Sequence, residues 1–217
     1  MKIFSATMLV VALLLVGTVA QADPITITQN ATGNGDLNSI GQSFTPNVND
    51  GYAGSPTPTT VDLTQFTMQS YASWGTYDDT PVYLSIYTGF SPEGTYGAGV
   101  GFVGSSTNSV VWPNTNYTNA VFSFDNLALN YATQYYALIS TASGDGGALT
   151  GRVGLASLSS LYAGGDWIVI SGGVPVEMSA SDATFTATFQ TVPEPSTLML
   201  LGAGLVGLLA YAWRKRR

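Results

Sequence analysis

Along most of the chain, short runs rich in valine, isoleucine, threonine, tyrosine and phenylalanine alternate with clusters of glycine, asparagine, aspartate, serine and proline. Apolar residues recur at every second position, as in half-buried strands, and helical periodicity is almost absent between residues 23 and 191. The pattern predicts strands at Ile25–Thr28, Ser39–Phe44, Thr60–Ser70, Pro81–Tyr87, Gly99–Gly104, Thr118–Phe124, Gln134–Thr141, Trp167–Ile170 and Ala183–Gln190. About nine strands at this spacing favour an all-β domain, built as a two-sheet antiparallel sandwich or jelly roll.

Alternation also predicts which side chains face the core. In the stretch VYLSIY, Val82, Leu84 and Ile86 share one face. In the stretch ATFTATFQT, three apolar side chains oppose three threonines. The apolar set is Phe185, Ala187 and Phe189, and the opposing set is Thr184, Thr186 and Thr188. The second stretch therefore predicts a strand with one face in the core and the other in water.

The first 22 residues have the three parts of a secretory signal peptide. Lys2 supplies the positive charge, residues 8–16 form an uninterrupted apolar run, and Ala20 and Ala22 match the small-x-small cleavage pattern. The alternative is an uncleaved anchor helix, which the short apolar run and the cleavage pattern disfavour. We therefore expect residues 1–22 to direct the chain to the Sec translocon and to be removed.

The other end of the chain carries a second apolar stretch. Residues 197–213 contain no charge, and residues 214–217 are all basic. Because basic residues stay on the cytoplasmic side of a membrane, the pattern predicts one transmembrane helix over 197–213 with residues 23–191 outside the cytoplasm. The alternative, a buried core helix, fits poorly with a chain-terminal position beside four basic residues.

A short proline-containing motif precedes this apolar stretch. Pro193, Glu194 and Pro195 come first, then the predicted helix, then the basic tail. This order resembles the PEP-CTERM sorting signal of Gram-negative bacteria, and the resemblance covers residues 192–217. It implies that an exosortase, a membrane transpeptidase-like enzyme, cuts near the motif. It further implies an inner-membrane-anchored intermediate that is passed on to the cell surface or the extracellular matrix.

Charge is distributed unevenly along the chain. The whole sequence has a net charge of -7, yet Arg152 is the only basic residue between 23 and 191, and every acidic residue except Glu194 lies in that span. Nucleic-acid binding needs lysine and arginine against phosphates, so we expect no nucleic-acid partner.

The chain contains no cysteine and no histidine. A Ser-His-Asp triad, a cysteine nucleophile and a histidine-ligated zinc site are therefore excluded. A carboxylate pair of the glycosidase type remains, but Glu93 and Glu177 are the only glutamates of the domain and nothing in the sequence brings them together. We predict a protein that is not an enzyme, and a glycoside-active enzyme is the third alternative.

One loop offers hard oxygen ligands. The stretch GNGDLNS places Asn34, Asp36 and Asn38 at alternating positions, which suits Ca²⁺. The spacing does not match an EF-hand, and ordinary turn chemistry explains the same residues. Calcium is thus a candidate cofactor with these three residues as candidate ligands.

Two predicted loops carry clustered aromatic residues. Trp74 and Tyr77 lie in one loop, and Trp112 and Tyr117 flank the sequence PNTN in another. Exposed aromatic rings can stack on sugars, which makes these four residues candidate glycan contacts. The alternative is that each ring covers an edge of the core.

The middle of the chain weakly resembles the jelly-roll modules found upstream of such anchors, at residues 41–45 and 122–140. Those modules carry no general activity. We therefore expect a non-enzymatic surface or matrix protein associated with exopolysaccharide or biofilm. The alternative is a glycan-binding module, with or without calcium. Edge strands could also pair between copies of the chain.

Overall fold

The computed structural model describes residues 24–29, 36–47, 58–72, 80–91, 98–144, 153–159, 162–172, 174–179 and 181–191, and, near the C-terminus, 204, 206–207 and 211–215. Pro24–Thr191 forms one compact unit. The fold below is that of the compact unit.

Strands make up most of the described residues. They are β1 (Ile25–Gln29), β2 (Asp36–Phe44), β3 (Thr60–Gln69), β4 (Pro81–Ser91), β5 (Ala98–Ser105), β6 (Val110–Val111), β7 (Asn119–Asn130), β8 (Tyr135–Ser140), β9 (Val153–Leu155), β10 (Ser157–Ser159), β11 (Trp167–Ser171), β12 (Val174–Met178), β13 (Ser181–Ala183) and β14 (Phe185–Thr191). Each of the nine predicted strands corresponds to one of these elements.

The strands form two main antiparallel sheets. The smaller sheet has the order β1-β14-β3-β7. The larger has the order β12-β11-β2-β8-β4-β5, with β6 paired to β4 and β9 paired to β2. Strands β10 and β13 form a separate two-stranded ladder. The predicted antiparallel two-sheet architecture is confirmed.

The core lies between the two main sheets and is rich in aromatic rings. Phe44 of the larger sheet meets Phe66 of the smaller sheet edge-on, with ring centroids 5.3 Å apart. Phe66 in turn stacks on Phe185 at 5.3 Å. All three side chains are buried. An aromatic pair contributes about 0.5–1.5 kcal/mol beyond the stabilisation from the apolar area that it buries. The contacts among these three rings therefore stabilise the packing of the two sheets.

The predicted alternation holds within the smaller sheet and is incomplete in the larger one. On β14, Phe185, Ala187 and Phe189 are buried, whereas Thr186 and Thr188 are partly exposed. Thr184, which precedes β14 and was expected to face water, is buried instead, so the prediction for that residue is wrong. On β4, the face predicted to be apolar is fully buried, but the opposite face is covered as well. That second face belongs to a smaller cluster of Ile40, Tyr87, Leu138, Ile168 and Ile170.

Strand β7 is longer than predicted because it continues through a bulge. Its pairing with β3 slips between Leu63 and Gln65, where Leu63 faces Leu127 and Gln65 faces Ser123. Asn126 lies in this bulge with φ of 49°. Asparagine tolerates the left-handed region better than most residues, so the strand bends there and continues to Asn130.

Gly41 occupies a position where no side chain fits. It lies in β2, which pairs with β11 on one side and β8 on the other. A Cβ atom at residue 41 would collide with the carbonyl oxygen of Ala137 and would lie 2.9 Å from Cδ2 of Leu138. Since the first obstacle is backbone, the ladder itself would have to shift.

We therefore expect Gly41→Ala to lower the free energy of unfolding by about 2–3 kcal/mol, near the upper end of the cost of overpacking. Gly89→Ala on β4 is the matched control, because its Cβ would meet only Val100, at 3.5 Å or more. That control should change stability by less than about 0.5 kcal/mol. Urea unfolding followed by tryptophan fluorescence measures both, and equal effects would contradict the steric argument.

Candidate functional site

The predicted sorting segment begins where the last strand ends. Strand β14 closes at Thr191, which pairs with Val61 of β3. Pro193, Glu194 and Pro195 lie outside the described residues, as do Ala20 and Ala22 at the other end. The signal peptide and its cleavage site therefore stay predictions.

The predicted transmembrane helix and basic tail are described only in part. Gly204, residues 206–207 and residues 211–215 are helical and exposed. Among the residues that the structure describes, no helix is long and apolar enough to cross a membrane. Most of 197–213 and the last two basic residues lie outside them, so the span stays a prediction.

The four candidate glycan contacts have different outcomes. Trp74 and Tyr77 lie outside the described residues. Trp112 is fully buried, and its backbone N–H donates to the carbonyl of Thr80 at 3.0 Å. Its ring has no exposed face on which a sugar could stack, so the prediction for Trp112 is wrong. The ring covers the core instead.

Tyr117 is the candidate that lies on the surface, with 45% of its area exposed. Its loop is tied to the end of β3 through Ser70, whose carbonyl accepts from the Tyr117 N–H at 2.7 Å. The Ser70 hydroxyl donates to the Thr115 carbonyl at 2.6 Å. The side chain of Asn116 accepts from the Ala72 N–H at 2.6 Å. These bonds hold the loop in one conformation.

Tyr117 adopts a backbone conformation that is uncommon for a bulky residue, with φ of 57°. Its ring meets that of Tyr71 edge-on, with centroids 5.9 Å apart. Holding a non-glycine residue in this region costs about 1–3 kcal/mol, and such strain concentrates at functional sites. We call Tyr71 and Tyr117 the tyrosine pair.

A small cleft lies on the outer face of the smaller sheet, along the ladder that leads to the tyrosine pair. Its volume is about 270 Å³. The lining residues are Thr67, Gln69, Asn119, Thr184, Phe185 and Thr186. None of them is charged. We call this the polar cleft. No motif in the sequence marks it, since its residues come from three strands.

The candidate calcium ligands are not brought together in the described part of the chain. Asn34 lies outside it, the backbone of Asp36 begins β2, and Asn38 is partly buried two residues further along that strand. No group of three or more acidic residues close enough to hold a metal occurs among the described residues. The calcium site stays a prediction.

A wider cleft, with a volume of about 470 Å³, is lined partly by Thr45, Tyr162 and Asp166. The Tyr162 hydroxyl donates to the carbonyl of Thr45 at 2.8 Å and accepts from its N–H at 2.9 Å. Burial raises the pKa of Asp166 above its ordinary value, and the nearby carboxyl of Asp182 raises it further. The cleft is fixed by backbone contacts and carries one carboxyl group.

Behind this cleft lies a buried polar network that sequence reasoning missed. Gln42 and Asp182 are both fully buried. The Gln42 amide donates to Asp182 at 3.1 Å and accepts from the Ala183 N–H at 2.8 Å. The Tyr162 N–H donates to the other oxygen of Asp182 at 3.1 Å. We call this the Gln42–Asp182 network.

The carboxylates weighed as catalytic groups do not form a described pair. Glu93 lies outside the described residues, and Glu177 is exposed on β12. Burial, followed by the charge of Glu177 and its hydrogen bond, raises the pKa of Tyr136 to about 12. Glu177 therefore contacts a tyrosine that stays protonated near neutral pH.

Comparison with known proteins gives one match, at the C-terminus. Residues 191–217 match the family model of the PEP-CTERM protein-sorting motif. No curated protein and no solved structure matches the chain. The chain therefore carries a PEP-CTERM sorting signal, and the resemblance of its last residues to that signal is confirmed. The resemblance to jelly-roll modules stays a prediction.

Proposed function

We propose that this chain is an exported, non-enzymatic protein that an exosortase-like enzyme processes at its C-terminus and delivers to the cell surface or the extracellular matrix. The observation that carries the proposal is the PEP-CTERM match over residues 191–217, which starts at the last residue of β14. Processing near Pro193–Pro195 would leave every strand of the sandwich intact. The sorting segment is thus separable from the fold.

Elementary chemistry supports a cut at this place. Pro193 and Pro195 cannot continue a helix, and each biases the residue before it towards an extended conformation. An extended segment is what a protease-like active site accepts. Export by the Sec translocon and a transient inner-membrane anchor over 197–213 complete the route, with the basic tail retained in the cytoplasm.

The non-enzymatic role rests on composition. The chain lacks histidine and cysteine, so a Ser-His-Asp triad, a cysteine nucleophile and a histidine-ligated zinc site have no residues to use. The negative charge of the domain repels other polyanions. We propose that the domain instead takes part in a biofilm matrix, in contact with exopolysaccharide.

The intact mass of the protein recovered from its host's envelope and medium tests this proposal. We expect a mature chain that begins at Asp23 and ends close to Pro195, because both terminal segments are removed. Recovery of surface material that still contains residues 198–217 would contradict processing. The same preparation from cells lacking the exosortase activity is the control, and it should retain the C-terminal residues.

A second candidate function is a glycan-binding module on a jelly-roll sandwich. Two observations favour it. The first four strands, β1 to β4, alternate between the two sheets, and this is common to jelly rolls. The tyrosine pair is held rigidly at the surface beside an uncharged cleft.

A further inference from the structure

We propose that the polar cleft binds a single uncharged sugar ring within a longer glycan chain, with the tyrosine pair contacting the neighbouring ring. This inference deepens the second candidate function and rests on it. The proposed glycan site does not include the buried Trp112. It lies on the outer face of the smaller sheet and uses other residues.

The pairing of three strands builds the cleft. Thr67 of β3 lies opposite Thr186 of β14, and Gln69 of β3 lies opposite Asn119 of β7. Opposed residues of antiparallel strands share a face, and the residues between them on β3 and β7, Met68 and Ala120, are fully buried. The hydroxyl and amide groups therefore point away from the core, towards the cleft.

Thr184 supplies the observation that points to a ligand. It lines the cleft, and only 4% of its area is exposed. Within the part of the chain that the structure describes, its hydroxyl oxygen has no hydrogen-bond partner. Buried hydroxyl groups are almost always paired, because an unmade hydrogen bond is costly. Because Thr184 lines the cleft, a ligand hydroxyl is the partner that we propose for it.

The chemistry of the lining selects the ligand class. Threonine hydroxyls and the amides of Gln69 and Asn119 both donate and accept, as sugar hydroxyls do. None of the described lining residues carries a charge to pair with a phosphate, a carboxylate or an ammonium group. The volume of about 270 Å³ lies just below the range of about 300–1,000 Å³ for drug-sized ligands. One ring fits this description.

The tyrosine pair lies further along the same ladder. Tyr71 follows Gln69 by two residues and Tyr117 precedes Asn119 by two residues, and the Ser70 N–H donates to the Thr118 carbonyl between them at 2.8 Å. At about 3.3 Å per residue, the pair lies roughly one sugar ring beyond the cleft. A glycan bound in the cleft can therefore continue onto the rings.

The test is binding of the full-length protein to oligosaccharides, in a detergent without a sugar headgroup. The neutral probes are oligomers of glucose, galactose, mannose and N-acetylglucosamine, and the acidic probes are oligomers of glucuronic and galacturonic acid. We expect binding to at least one neutral oligomer, no binding to the acidic ones, and no effect of EDTA.

Thr184→Val is the decisive variant because it removes the hydroxyl and keeps the shape. We expect its affinity for the neutral oligomer to fall about five-fold, the usual effect of one neutral hydrogen bond. Its melting temperature should stay the same or rise, because an unpaired buried hydroxyl is lost. If Thr184 only stabilised the fold, the variant would not combine a lower affinity with an unchanged or higher melting temperature. Thr188→Val, on β14 but outside the cleft lining, is the control and should bind normally.

Tyr117→Asn tests the second ring contact. Asparagine accepts the left-handed backbone better than alanine does, so the loop is retained while the ring is lost. We expect a three- to ten-fold loss of affinity for oligomers, an effect of the size of aromatic stacking, and a smaller loss for monosaccharides.

Each alternative result has a distinct meaning. Neutral-glycan binding that Thr184→Val leaves unchanged overturns the cleft but leaves a glycan-binding module in place. If no probe binds, both the proposed cleft site and the glycan-binding function are overturned. Binding confined to the acidic oligomers overturns the uncharged ligand.

Discussion

Replacing Pro193, Glu194 and Pro195 together with alanine is expected to hold the full-length protein in the inner membrane. Alanine is the strongest helix former and proline the weakest, by about 3 kcal/mol per residue. The variant therefore lets the predicted membrane helix extend through the motif, which removes the extended segment that we propose is offered to the processing enzyme. Immunoblotting of membrane, surface and medium fractions measures the outcome, and intact mass shows which termini remain.

The matched control changes neighbouring residues of the same signal. Ser196→Ala with Thr197→Ala keeps both prolines and the acidic residue, so delivery should be close to normal. If the triple variant reaches the surface with its C-terminus removed, the motif is not the recognition element. If the control is also trapped, the recognition element is wider than Pro193–Pro195.

The second large effect is expected at the Gln42–Asp182 network. Gln42→Leu removes both the donor to Asp182 and the acceptor for the Ala183 N–H, while filling nearly the same volume. A buried polar group that loses a hydrogen-bond partner costs about 1–3 kcal/mol, and more when the group is charged, because water cannot replace the lost partner. We expect a loss of that size in urea unfolding.

Two further variants separate the network from simple loss of a polar side chain. Gln65→Leu makes the same chemical change at an exposed position of β3, and it should alter stability by less than about 0.5 kcal/mol. The double variant Gln42→Leu with Asp182→Leu also removes the carboxyl group that Gln42→Leu deprives of a donor, so its loss of stability should be smaller than the sum of the two single losses. If the double variant loses more free energy of unfolding than the two single variants lose in sum, the pairing of Gln42 with Asp182 is contradicted.

Local pattern predicted the long strands because their side chains alternate with a period of two wherever one face is buried. Strand β14 is the clearest example, with phenylalanines inward and Thr186 and Thr188 outward. The short strands β6, β9, β10 and β13 were missed, since two or three residues carry no measurable period, and the five-residue strand β12 was missed as well. Their pairing depends on which segments the rest of the fold brings alongside.

The candidate sites were less predictable than the strands. Trp112 and Tyr117 lie five residues apart in one loop, and nothing in the local sequence distinguishes their burial. In the structure, Trp112 is buried and Tyr117 is exposed. Burial depends on which sheet covers a residue, and that information is tertiary. Gln42 and Asp182 lie 140 residues apart, so no local pattern could have paired them. The polar cleft combines three strands for the same reason.

The position of β14 within the smaller sheet constrains the order of events during export. Strand β1, the first to leave the ribosome, pairs with β14, the last strand before the sorting signal, so that Ile25 meets Phe189. Strand β14 also supplies one of the two neighbours of β3. Until residues 185–191 have crossed the membrane, β1 has no partner in its sheet and the core stays open on that side. Such distant pairing is slow, because a long loop must close first. The strand that completes the smaller sheet is thus the one directly before the sorting signal, so we expect the final folding of the domain to follow the appearance of that strand outside the membrane.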